Sequence, residues 1–167
     1  MNEASKTPAN GPVKILFVCL GNICRSPTAE GVLRHRVSQA TPALQVQVDS
    51  AGTAGYHIGD PPDPRSQRAA LRRGIDISGL RARQISRSDF SSFDLILAMD
   101  RGNLRDLEAK RPNRSRAKLQ LFLEYAPQTG RLEVPDPYYG GSADFELVLD
   151  LCDAAARGLI LALQDGA

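Results

Sequence analysis

Apolar and polar residues follow two rhythms along this chain, and the changes between them mark its elements. Val13 to Leu20 (VKILFVCL) is a short continuous apolar run rich in branched side chains, which predicts a strand buried on both faces. The run stops at Gly21-Asn22. Ala29, Val32, Leu33 and Val37 then recur at helical spacing, with Ser26 as the expected cap, Pro27 at the first helical position and Pro42 beyond the end. Leu44 to Asp49 alternates and predicts a second strand. Asp63-Pro64 repeats the cap-then-proline signal and opens a helix that Gly74 closes. Phe93 to Met99 is a third strand, Asp100 starts a short polar helix reaching Lys110, and Lys118 to Leu123 is a fourth strand. From Phe145 the residues Val148, Leu149, Cys152, Ala155, Leu159, Ile160 and Leu163 form one apolar stripe, so the chain ends in a long amphipathic helix with Cys152 in its core face. Glycines and prolines break up residues 51–62 and 133–141, which predicts loops there.

Strands alternating with helices imply a parallel sheet covered on both faces, a three-layer α/β architecture with right-handed crossovers. The 167 residues suit one domain, expected over 13–167, after a polar tail at 1–12. Composition narrows the function classes. With 42% apolar and 24% charged residues the chain reads as globular, and a net charge of +2 without a long basic run speaks against a nucleic-acid partner. Its apolar runs are too short to span a bilayer, so membrane insertion is not expected. Three cysteines with no CxxC pair and no signal-peptide pattern predict a reducing, cytoplasmic setting rather than a disulfide framework. Two histidines give little basis for a zinc site, and neither a metal nor another cofactor is expected. No signal for an oligomeric state is present.

In such sheets ligands bind beyond the carboxyl ends of the strands. There the sequence reads Cys19-Leu20-Gly21-Asn22-Ile23-Cys24-Arg25-Ser26, a cysteine leaving a strand and an arginine at the mouth of a helix. Backbone N–H groups of such a loop, with those of the helix start, form a concavity for an anion bearing several oxygens. Gly21 and Asn22 tolerate unusual backbone angles. Arg25 offers paired donors to phosphate oxygens. Positive surroundings also favour the thiolate of a cysteine, whose free pKa is about 8.5, and Ser26 is placed to donate a hydroxyl proton to the Cys19 sulfur. A cysteine in a buried strand is by itself most often a small core residue. The spacing to Arg25, in this strand–loop–helix context, makes Cys19 a nucleophile candidate. Leu20, Tyr56, Tyr138 and Tyr139 are candidate walls for an aryl phosphate.

The stretch VCLGNICRSPTAE resembles the signature loop of the low-molecular-weight protein tyrosine phosphatases. The resemblance continues in order through DSAGT, PPDPR around Asp63, AMDRGN at Asp100 and DPYYG, and so covers Val13 to about Leu163. It implies a four-stranded parallel sheet of order 2-1-3-4, no metal, and two-step hydrolysis of phosphotyrosine proteins through a phosphocysteine. By that resemblance Asp136 is the general acid and base, Asp100 and Asn103 shape the rim or simply cap a helix, and Cys24 is a redox partner for Cys19. Members often carry a histidine near residues 78–83 to support the loop asparagine. This chain has Gly79 there, leaving Ser50 as the candidate support for Asn22. Two relatives of the fold are weaker fits. Thioredoxin-coupled arsenate reductases need two further cysteines, and residues 75–95 contain none. Protein arginine phosphatases carry a threonine where this chain has Ile23.

Overall fold

In the computed structural model, which describes residues 11–166, the first apolar run forms β1 (Val13–Cys19). Ile15, Leu16, Phe17 and Val18 are all fully buried, as a strand covered on both faces requires. Side chains alternate in direction. Ile15, Phe17 and Cys19 enter one core cluster, and Leu16 and Val18 enter the other. Of the expected tail, residues 1–10 lie outside the described residues.

The other strands are β2 (Val46–Gly52), β3 (Leu95–Ala98) and β4 (Lys118–Leu121), all parallel in the order β2-β1-β3-β4. Strand β2 runs further than the alternation at 44–49 indicates, because Ala51 and Gly52 pair in register with Val18 and Cys19. Strand β4 is shorter than expected. Phe122 and Leu123 leave it for a 3-10 turn (Phe122–Tyr125), where Phe122 meets Phe17 edge-on at 4.7 Å between ring centroids.

Three helices, α1 (Arg25–Ser38), α2 (Pro64–Leu71) and α5 (Ser142–Gln164), supply the cluster on the Phe17 face. On the other face lie a one-turn helix not expected from the sequence, α3 (Asp89–Ser92), and α4 (Arg101–Lys110), through Phe90 and Leu107. Two caps work as expected: Asp63 Oδ1 accepts from the Arg65 N–H at 2.8 Å, and Asp100 Oδ1 accepts from the Asn103 N–H at 2.7 Å. Ser26 does not cap α1. The helix starts two residues earlier, Cys24 holds the cap position without a side-chain bond, and Pro27 is the third helical residue rather than the first. The Ser26 hydroxyl is drawn instead to Cys19 and Asn22. Among the described residues no helix is long and apolar enough to cross a membrane.

Gly158 sets how closely α5 approaches the 3-10 turn after β4, since a Cβ there would collide with the Tyr125 carbonyl oxygen. Glycine to alanine inside a helix is ordinarily stabilising by about 0.5–1 kcal/mol. Here overpacking should reverse the sign, and Gly158→Ala should cost about 1–3 kcal/mol in urea unfolding. A more stable variant would show that the helix moves away freely.

Candidate active site

The strand order places the site. From β1 the chain crosses to β2 on one side and then to β3 on the other, so a crevice opens above the end of β1. Cys19 is the last residue of that strand. A cavity of about 310 Å³ lies there, lined by Cys19, Leu20, Gly21, Ile23, Cys24, Arg25, Tyr56, His57, Asp136, Tyr138 and Tyr139. Leu20, Tyr56, Tyr138 and Tyr139 are exposed large side chains along it, and the rings of Tyr138 and Tyr139 meet edge to face at 5.0 Å. Asn22 and Ser26, counted among the phosphate-binding candidates, do not line it; both are buried behind the loop.

Asn22 adopts a positive φ of 59°, the left-handed conformation expected of it. Its side chain is fully engaged. Oδ1 accepts from the Arg83 backbone N–H at 3.0 Å, and Nδ2 donates to Ser26 Oγ at 2.8 Å and Ser50 Oγ at 2.9 Å. Ser50 in turn donates to Glu30 Oε1 at 2.7 Å. Ser26 Oγ accepts from Asn22 and lies 3.0 Å from Cys19 Sγ, so it is placed to donate its own proton to the sulfur once Cys19 is a thiolate, which can only accept. Ser50 thus supports Asn22 where the sequence lacks the histidine, and Arg83 completes the support. Burial pushes the Glu30 carboxyl up, against the downward pull of Ser50 and Arg34.

Gly52 lets β2 come this close. A Cβ there would lie 2.7 Å from the Leu20 carbonyl oxygen and 2.8 Å from that of Ala54. The Ala54 N–H donates to the Leu20 carbonyl and the Thr53 N–H to that of Cys19, turning those carbonyls away from the cavity. Among the described residues, no protein acceptor takes the N–H groups of Gly21 to Cys24, which leaves them for an anion.

Arg25 is buried and held by one nitrogen. Nη1 donates to Asp100 Oδ2 at 2.6 Å and to the Val134 carbonyl at 3.0 Å, while Nη2 lies 3.8 Å from Asp136 Oδ2. Burial opposes its charge, yet Cys19, Asp100 and Asp136 outweigh that and hold the guanidinium above its ordinary range. Asp100 caps α4 with one oxygen, as expected, and with the other it anchors Arg25, a contact not expected from the sequence. Val134 is the staple for the loop that carries Asp136: its N–H donates to the Met99 carbonyl at 2.8 Å, and its own carbonyl takes Arg25. Asp136 follows two residues later, half-exposed, its Oδ1 accepting from the Tyr138 N–H at 3.1 Å.

His57 was not among the sequence candidates. It packs over the loop, its Cδ2 3.0 Å from where a Gly21 side chain would start, and its Nδ1 is 3.4 Å from Asp60. Its only sequence signal was its place directly after Tyr56 in a glycine-rich loop. All three cysteines are free thiols. Cys152 is fully buried in α5, and burial pushes its thiol up. Among the described residues no cluster of His, Cys, Asp and Glu is placed to hold a metal.

Burial, Asp63 and other nearby charges push the Cys24 thiol up to about 12, with Ser66 pulling the other way. A raised thiol pKa means a vanishing thiolate fraction near neutrality, and the thiolate is the reactive form. Iodoacetate at pH 7 should therefore label Cys19 and leave Cys24 and Cys152 unmodified in peptide mass maps. Equal labelling of Cys24 would overturn this assignment.

A family model described as low molecular weight phosphotyrosine protein phosphatase matches residues 14–166. The human protein named low molecular weight phosphotyrosine protein phosphatase is 48% identical over 148 residues, covering 87% of this chain and 92% of that one. Among solved structures, a protein tyrosine phosphatase from Entamoeba histolytica superposes with a TM-score of 0.87 at 38% identity, over 92% of this chain and 98% of that one. A structure described as DARP, drosophila arginine phosphatase, follows with 0.85 at 32% identity, over 91% and 98%. With the sheet order, the loop and the sequence in agreement along almost its whole length, the chain belongs to the low molecular weight phosphotyrosine protein phosphatase family.

Proposed function

We propose that this chain hydrolyses phosphotyrosine in proteins through a phosphocysteine on Cys19. The observation that carries it is the meeting of Cys19, Arg25 and Asp136 in one cavity walled by Tyr56, Tyr138 and Tyr139. The phosphate dianion sits on the loop N–H groups of Gly21 to Cys24, with the free edge of Arg25 beside it. Leu20 and the three tyrosines flank the aryl ring. Cys19 Sγ attacks phosphorus, an S–P bond forms, and the P–O bond to the tyrosine breaks. Asp136, reaching in from the opposite loop, gives its proton to the departing oxygen. It then takes a proton from water as that water attacks phosphorus and the S–P bond breaks. The Ser26 hydroxyl stabilises the returning thiolate. Asp136 stands 3.8 Å from Arg25, so once it has given up its proton the cation holds the carboxylate that the second step uses.

Residues 13–167 are the catalytic domain in this reading, with no role for 1–12. The nucleophile must stay reduced, which suits the cytoplasm. Cys24 is its redox partner: a Cys19 sulfenic acid condenses with the Cys24 thiol, releasing water and forming a disulfide that cellular thiols reduce. Arsenate reduction fits poorly, since the one thiol outside the loop, Cys152, is sealed in the core. The Drosophila neighbour makes phosphoarginine the second substrate to test, and Ile23 lines the cavity where a substrate would contact it.

Phosphate release should be measured from matched phosphotyrosine, phosphoserine and phosphoarginine peptides. Phosphotyrosine should be turned over best, with no turnover by Cys19→Ser. Asp136→Ala should lower kcat by about 10²–10⁴-fold. Its defect should shrink with p-nitrophenyl phosphate, whose leaving group needs little protonation. Failure of folded wild-type protein on every peptide would sink the phosphatase reading, and a preference for phosphoarginine would change its substrate. For the redox role, Cys24→Ser should recover less activity than wild type after peroxide and thiol treatment; equal recovery removes the role.

A further inference from the structure

The carboxamide of Asn22 is the hub behind the loop, and what decides which way it faces is a backbone group far along the chain. A backbone N–H can only donate, so the atom that meets the Arg83 N–H at 3.0 Å is Asn22 Oδ1. That leaves Nδ2, with its two protons, for Ser26 and Ser50. Were the amide reversed, Oδ1 would draw the Ser26 proton, since that of Ser50 is given to Glu30, and none would reach the Cys19 sulfur.

Arg83 lies in the irregular connector between α2 and α3, where ordered pairing is limited to a bridge between Gln84 and Gly52. Its side chain ties that connector to two separate elements. Nε donates to Asp49 Oδ2 on β2 at 3.1 Å, and Nη1 and Nη2 form a fork with the two oxygens of Asp89 on α3 at 3.0 and 3.1 Å. Asp89 is nearly buried, at 8% side-chain exposure, and also accepts from the Ser86 N–H at 2.7 Å. The Arg83 carbonyl accepts from the Gly52 N–H at 2.8 Å, at the point where β2 touches the loop. Arg83 is thus gripped on three sides, with its N–H aimed at Asn22. A forked guanidinium can span both carboxylates, whereas a single ammonium cannot.

We propose that Arg83 is a positioning residue for the nucleophile: by fixing the facing of the Asn22 amide it turns the Ser26 proton onto Cys19. Its effect on turnover rests on the phosphatase reading above, but its effect on the sulfur does not, because the thiolate can be followed without substrate.

The test is the pH profile of Cys19 alkylation by iodoacetate in wild type, Arg83→Ala, Arg83→Lys, Ser26→Ala and the Arg83→Ala/Ser26→Ala double variant. A hydrogen bond to a charged group is worth about 1.5–3 kcal/mol, which corresponds to roughly one to two pH units. Ser26→Ala should move the profile to higher pH by about that amount. Arg83→Ala should move it in the same direction and Arg83→Lys by less, while the double variant should match Ser26→Ala alone. With phosphotyrosine peptide, kcat should fall along the same series. A folded Arg83→Ala with the wild-type profile would overturn the proposal, and so would shifts that simply add in the double variant. Should Arg83→Ala not fold, Arg83→Lys alone and combined with Ser26→Ala decides by the same criteria. Shifted profiles in a wild-type background that turns over no phosphotyrosine would uphold the positioning role and sink the phosphatase reading instead.

Discussion

The carboxamide of Asn22 has one satisfied orientation, and the loop is organised around it. The residue sits in the left-handed region, which asparagine adopts more readily than most non-glycine residues, and its surroundings hold it there. They do so through three bonds, one accepted and two donated, each buried or nearly so. Because Asn22 Nδ2 donates to Ser26 and a thiolate can only accept, the Ser26 hydroxyl is left to donate to the sulfur when Cys19 is ionised. The last proton in the series lies between Ser26 and the Cys19 sulfur.

The front of the loop is governed by charge. A buried guanidinium is costly unless paired, and Arg25 is paired on one nitrogen with Asp100 and the Val134 carbonyl. That leaves its other edge toward the cavity and toward Asp136. The same Val134 fastens the segment carrying Asp136 to the end of β3, so Asp136 and Arg25 share one anchor. Loops so fastened keep their functional side chains in place without secondary structure.

Packing makes the arrangement stiff. β1 is sealed on both faces, and Cys19 is its last residue, so Cys19 moves only if the centre of the sheet moves. α1 is buried around its first turns, including Arg25, Ser26 and Glu30, because it passes beneath the loop rather than along the surface. This is why an amphipathic reading of that helix from Ala29, Val32 and Leu33 captures only part of it.

By itself the sequence determined the features written in short-range chemistry or in periodicity. The buried strand, the caps at Asp63 and Asp100, the core face of α5 and the spacing from Cys19 to Arg25 all depend on residues within a few positions of one another, or on a repeat. Strand ends were less legible, since Ala51 and Gly52 become strand only by pairing with β1. Ser26 looked like a cap because a serine before a helical pattern usually is one; a sulfur and an amide nearby in space claimed it instead. Tertiary structure alone decided that Val134 would anchor Arg25, that His57 would lie over Gly21, and that Arg83 would reach Asn22 across 61 positions of chain. Periodicity tells which side of an element is buried. Which distant donor meets which acceptor there depends on the order of the strands and the crossing of the loops, and no local pattern carries that.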